Sequence, residues 1–303
     1  MKRSIFFLLL SFLLLDVSAQ TRLELNLKAG ETYRQSTSNN ASVTQNIMGQ
    51  EITINLGIKG IMDFKVINEL SDSYDMEVAF QEMSLNMGSL QGSQQFSSEN
   101  PDETDTFSKI LSGMTGQTFS VRMSKKGTIL EIDNVEELWE AAFRDQNVSE
   151  AEKAQILTQL MQTYGPESIK GNIEMVTAIF PDNEVKLGDQ WTNEVNLATG
   201  MKGLATTTYL YESQQGNFNL ISGKGTITTG EEDAYMETNG MKLKMDLNGD
   251  MRASIIVDAE SGWIVDATIN QDINGSATME GNAQMPGGLT IPMKVTNEMT
   301  ITN

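Results

Sequence analysis

The chain has 303 residues, with 21 Lys plus Arg against 41 Asp plus Glu and a formal net charge of −20. A surface so acidic repels nucleic acid and anionic lipid headgroups, so neither is an expected partner. It contains neither Cys nor His, which removes disulfides, thiol chemistry, the commonest general base and the commonest transition-metal ligand, and leaves no cofactor to expect.

Residues 1–19 divide into a basic start at Lys2-Arg3, an apolar run from Ile5 to Leu15 and a small-residue site, Val17-Ser18-Ala19. That is the layout of a secretory signal peptide cut between Ala19 and Gln20. The run is shorter than the roughly 20 residues a bilayer-spanning helix needs. Because Gln20, not Cys, follows the cut, a lipoprotein anchor is not expected. The mature protein is read as exported and soluble, periplasmic or extracellular, with no membrane span.

After residue 20 the dominant signal is alternation of apolar and polar residues. Ile52, Ile54, Leu56, Ile58, Met62, Phe64 and Val66 share one face, in one long strand or in two joined near Gly57–Gly60. The polar stretch 88–117, with Ser97-Ser98-Glu99-Asn100-Pro101-Asp102-Glu103, reads as a flexible loop within an N-terminal β half over 20–133. Lys126-Gly127 marks a turn.

A helical block follows over 134–180. Asn134 with Glu137 and Ser149 with Glu152 make capping-box patterns, and Pro166 opens a third helix with Ile169, Ile173, Val176 and Phe180 on one face. Each helix has one apolar stripe, and the apolar face of a sheet is the partner it needs.

A C-terminal β half occupies 181–303. Turns are expected at Gln215-Gly216-Asn217, Asn248-Gly249 and Ser261-Gly262, and Leu289, Ile291, Met293, Val295, Met299 and Ile301 alternate at the end. Its start, Val185-Lys186-Leu187-Gly188-Asp189-Gln190-Trp191, parallels Leu27-Lys28-Ala29-Gly30-Glu31-Thr32-Tyr33. The Phe119–Ile129 stretch parallels Ile255–Ile264 in the same way, the mark of an internal duplication. The expected fold is mainly β: a long antiparallel meander, curved or half-barrel, with about three helices packed on one face.

Preceded by Phe180-Pro181, the Gly188-Asp189-Gln190-Trp191 pattern resembles a family of exported bacterial proteins known as domain of unknown function 6263. The resemblance implies a signal sequence, β-rich halves and a central helical segment, and it brings no assigned catalytic residue. In outline the architecture also resembles the half-barrel lipoprotein carriers of the Gram-negative envelope.

Chemistry is sparse. No Gly-x-Ser-x-Gly or Ser-x-x-Lys pattern occurs. Carboxylate neighbours such as Glu231-Glu232-Asp233, Asp258 with Glu260, and Asp182 with Glu184 could in principle hydrolyse a glycoside, but 41 acids make such adjacency ordinary. Asp246, Asn248 and Asp250 begin a calcium-loop pattern that fails at Met251. The 19 Met residues are spread along strands, which suits core packing or an adaptable apolar cavity better than Cu(I) ligation.

The expectation is therefore a non-enzymatic envelope protein that binds an apolar or lipid-like ligand in a cavity lined by Met, Ile and Phe, with Tyr33, Phe64, Trp191, Met245 and Trp263 as candidate ligand contacts and no metal. A packed structural or interaction module meeting an envelope protein is the alternative. An outer-membrane barrel and a carboxylate-based hydrolase stand behind it.

Overall fold

The computed structural model describes residues 20–89, 92–102, 104–144, 146, 148–197, 203–229, 235–238, 241–281 and 287–303. The expected signal peptide lies outside the described residues.

Six strands form in the N-terminal half: β1 (Thr32–Ile47), β2 (Gln50–Glu69), β3 (Ser73–Ser89), β4 (Gly92–Ser97), β5 (Thr118–Ser124) and β6 (Ile129–Asp133). Seven follow the helices: β7 (Gln190–Leu197), β8 (Gly203–Gln215), β9 (Phe218–Thr229), β10 (Tyr235–Thr238), β11 (Met241–Asp258), β12 (Ile264–Met279) and β13 (Leu289–Thr302). All pair antiparallel in one 13-stranded sheet ordered β6-β5-β3-β2-β1-β13-β12-β11-β9-β8-β7, with β4 on β3 and β10 on β11. The sheet is mainly a meander, as expected, and it does not close, because β6 and β7 remain its two edges.

The alternation read from sequence sets the faces. Phe64, Val66, Tyr74, Met76, Val78, Ile255, Val257 and Ile301 are buried on the inner face. Arg34 with Asp63 and Arg122 with Asp75 pair on the outer one. A bulge between Ile61 and Met62, opposite Gln81, shifts the parity of β3 so that both Phe80 and Met83 point inward.

Four helices lie in the connections: α1 (Thr106–Met114), α2 (Glu136–Phe143), α3 (Glu150–Tyr164) and α4 (Pro166–Thr177). The stretch 88–117, read as a loop, carries β4 and α1. Its apolar residues are few, but Ile110, Leu111 and Met114 fall on one helical face and are buried. Ser149 and Glu152 form the expected capping box, and Pro166 takes the first turn of α4. Asn134 does not cap α2; it adopts a φ of 63° instead, and no side chain caps that helix.

One turn expectation fails. β11 runs unbroken through Asn248-Gly249, and Gly249 serves close packing: a Cβ there would sit 2.7 Å from Ile273 Cα on the neighbouring strand. The turn glycines Gly127, Gly216 and Gly262 have φ of 83°, 59° and 70°, a conformation open to Gly at little cost.

The segment ahead of β1 crosses one end of the sheet. Leu25 N donates to Lys125 O at 2.7 Å, Asn26 N to Ser261 O at 2.7 Å, and Thr21 exchanges backbone bonds with Val185. Leu23, Leu25 and Leu27 are buried beneath it. The Tyr74 hydroxyl fixes this segment, accepting from Leu27 N at 3.1 Å and donating to Leu25 O at 3.0 Å.

Candidate functional site

The helices cover the inner face and leave an apolar cavity of about 170 Å³ between α4, the end of α3 and strands β1, β2, β3 and β13. Its helical wall follows from sequence. Ile169, Ile173 and Val176 recur at one-turn spacing behind Pro166, so they share the face that α4 presents inward, at 3%, 1% and 2% exposure. Gly165 sets the α3–α4 corner, because a Cβ there would collide with the carbonyl of Met161.

The sheet supplies Ile58 and Met62 from β2, Phe80 and Met83 from β3, and Met299 from β13. Gly60, also in the lining, leaves space where any side chain would intrude. Four polar residues, Gln35, Thr37, Asn39 and Asn172, share the lining. Among the described residues, the buried Oδ1 atoms of Asn39 and Asn297 accept no hydrogen bond. Asn297 spends its amide on Gln271 Oε1 at 2.9 Å. A buried acceptor left without a donor is costly, on the order of 1–3 kcal/mol.

Acid–base capacity in the cavity is low. Tyr164 packs edge-on against Phe80 at 5.8 Å, and burial pushes its phenol up to about 12, so it stays neutral at physiological pH. Lys59 belongs to the outward parity of β2 and is exposed. Among the described residues no carboxylate lines the space.

Three of the five residues singled out in the sequence come together elsewhere. Trp263 lies 5.3 Å from the rings of both Tyr33 and Phe64, and its indole nitrogen donates to Arg34 O at 3.0 Å. Trp263 is 3% exposed, and the gap beside it would not admit a water. The cluster plugs the end of the sheet beneath the N-terminal segment. Trp191 stacks on Tyr209 at 5.9 Å and donates to Ile179 O at 2.8 Å, while Met245 packs against the core from β11. None of the five lines the cavity.

The residues that do, among them Met62, Phe80, Met83, Ile169, Ile173, Val176 and Met299, are the Met, Ile, Val and Phe of the inward pattern. That pattern showed which residues face in. It did not show where the filling falls short.

The outer membrane channel from Pseudomonas putida F1 aligns over 92% of this chain and 97% of its own at 6% identity, with a TM-score of 0.27. Outer membrane protein OprG from Pseudomonas aeruginosa gives 91%, 96%, 11% and 0.25 for the same quantities. A protein with a YmcC-like fold from Bacteroides fragilis gives 91%, 97%, 10% and 0.25. Superpositions this loose carry no functional argument. Among curated proteins none matches the sequence. The family of unknown function DUF6263 matches residues 71–264, from the turn before β3 through the helical block to the first residue of β12. The chain belongs to that family.

Proposed function

We propose that this chain is an exported, non-enzymatic binding protein of the bacterial envelope that holds a lipid-like chain between its helices and its sheet. The observation that carries this reading is the cavity behind α4, walled by Met, Ile, Val and Phe, with Asn39, whose buried Oδ1 is unpaired, also in its lining. A ligand with an apolar tail and a hydroxyl or amide donor suits such a lining. The lining described holds no carboxylate and its Tyr164 phenol stays neutral, which supports binding over turnover.

The outer face supports a water-exposed sheet. Arg34–Asp63, Lys65–Glu77 and Arg122 with Asp75 and Glu131 occupy the surface that a transmembrane barrel would turn to lipid. A second reading, a packed interaction module, draws on the volume itself, since ligand pockets commonly hold about 300–1,000 Å³. On the binding reading α3 yields to the ligand. Its contacts favour that, because only Leu160 among its described side chains is fully buried.

The test is native mass spectrometry of the protein purified from its own envelope, followed by titration of delipidated protein with a fluorescent fatty acid. Retained lipid, and uptake that Ile173→Phe abolishes while the circular dichroism stays unchanged, is the expected result. Wild-type protein that carries nothing and takes up no probe overturns the binding reading.

A further inference from the structure

A second concavity lies elsewhere. It is a groove of about 600 Å³ on the sheet, spanning β4, β3, β2, β1, β13 and β12. Strand register places Gln95, Asn86, Gly57, Asn40, Glu298 and Asn270 in one unbroken row across these six strands. A parallel row runs Ser93, Gly88, Asn55, Ser42, Thr296 and Asp272. Both rows share the parity of Asp63 and Arg34, so they belong to the outer face, opposite the lipid-like cavity. The adjoining hollow repeats that outward parity at Glu51, Thr53 and Asn55.

Gly57 and Gly88 are the telling positions. Glycine inside a strand is unfavourable and commonly marks a bulge, a tightly apposed backbone or a ligand close to the chain. Neither residue is at a bulge, since the irregularities of this pairing fall at Ile61/Met62 and Val66/Asn68. Neither meets a crowded neighbour. A Cβ on Gly57 would find Asn40 Oδ1 and Asn86 Cβ at 3.6 Å, and one on Gly88 only Asn55 O at 4.0 Å. By contrast, a Cβ on Gly225 or Gly249 would approach a neighbour to within 3.0 Å, so packing accounts for those glycines. What remains for Gly57 and Gly88 is a floor kept free of side chains.

The geometry points to this groove as a binding site for a neutral oligosaccharide. Side-chain amides each present donors and an acceptor, and hydroxyls do both, which matches a ligand of closely spaced hydroxyl groups. Asp272 and Glu298 add acceptors for vicinal hydroxyls, and among the described residues no Lys or Arg lines the groove, Arg252 standing one strand beyond Asn270. Five strand-to-strand steps make the row about 24 Å long, the reach of a short chain of sugars. A peptide strand would add to a sheet edge, not lie on its face. No group of three or more acidic residues among the described residues could hold a metal ion.

Calorimetric titration of the full mature chain with maltohexaose, cellohexaose and chitohexaose tests this. At least one should bind, and binding should weaken about tenfold or more in both Gly57→Val, which fills the floor, and Asn40→Ala, which removes an amide. Both variants should melt as the wild type does, and Ile173→Phe should bind as the wild type does. Failure of all three sugars to bind, affinity unchanged in both groove variants, or capture of a lysine-rich nonapeptide in place of sugar would overturn the assignment.

Discussion

The sheet has two seams where its N- and C-terminal halves meet, and they are closed by different means. At one, β1 pairs with β13 from Ser36↔Thr302 to Gln45↔Met293, a continuous ladder of backbone bonds. At the other, β6 and β7 stay apart and α4 lies against both. Here side chains do what backbone does at the first seam. Glu174 Oε1 accepts from Ile129 N at 2.7 Å, Thr177 Oγ1 donates to Gly127 O at 2.6 Å, and Asn193 Nδ2 donates to Ala178 O and Phe180 O at 2.9 and 3.1 Å. A ladder tolerates almost any alternating sequence. A helical seam depends on a few named residues, so substitutions should be felt very unequally at the two.

Gly127→Ala should have the largest effect. A Cβ there would overlap the carbonyl of Thr177 in a backbone conformation that already disfavours side chains. Gly30→Ala, at a similar φ of 87° with nothing nearby, should cost only about 1–2 kcal/mol. Urea unfolding of the two variants should separate them clearly, and equal losses would mean that α4 does not bear on the β5–β6 turn.

Asn193→Ala should come next, at about 1–3 kcal/mol by the same measurement, because it leaves two carbonyls at the helical seam without their donor. Smaller and dependent on pH is Glu174→Gln. Burial raises the Glu174 carboxyl pKa above the ordinary value, with the Ile129 amide and Lys170 opposing it. A raised acid pKa stabilises the fold below the ordinary glutamate range, and the contribution is lost as pH rises through the folded value. The wild-type urea midpoint should therefore fall relative to Glu174→Gln as pH increases through and above that range. A constant difference would remove Glu174 ionisation from the account. Least affected should be Thr300→Ala at the backbone seam, whose hydroxyl reaches Ser38 O only at 3.5 Å. A change within about 0.5 kcal/mol is expected.

The halves also invite comparison by order. Gly30 precedes β1 and Gly188 precedes β7 with φ of 87° and 89°. Gly127 and Gly262 turn the β5–β6 and β11–β12 hairpins, the first against Thr177 and the second against Glu24. Each hairpin glycine is thus covered by the segment that leads into the other half. We propose that this reflects the duplication expected from the paired motifs. Exchanging the β5–β6 turn for the β11–β12 turn, with refolding as the readout, would test that equivalence.

Local patterns in the chain determined the faces of the strands, the Ser149 cap, the Pro166 helix start and the turn glycines, because each depends on residues a few positions apart. Asn248-Gly249 misled for the converse reason: a good turn dipeptide yields when both neighbouring strands pair straight through it. Membership of the family was legible in Gly188–Trp191. The cavity was not, since a void is set by how α4 seats on four strands. Nor was the groove, whose row joins Gln95 to Asn270 through pairings that span most of the chain. Alternation tells each side chain which way to face. Only the tertiary register decides which distant side chains face that way together.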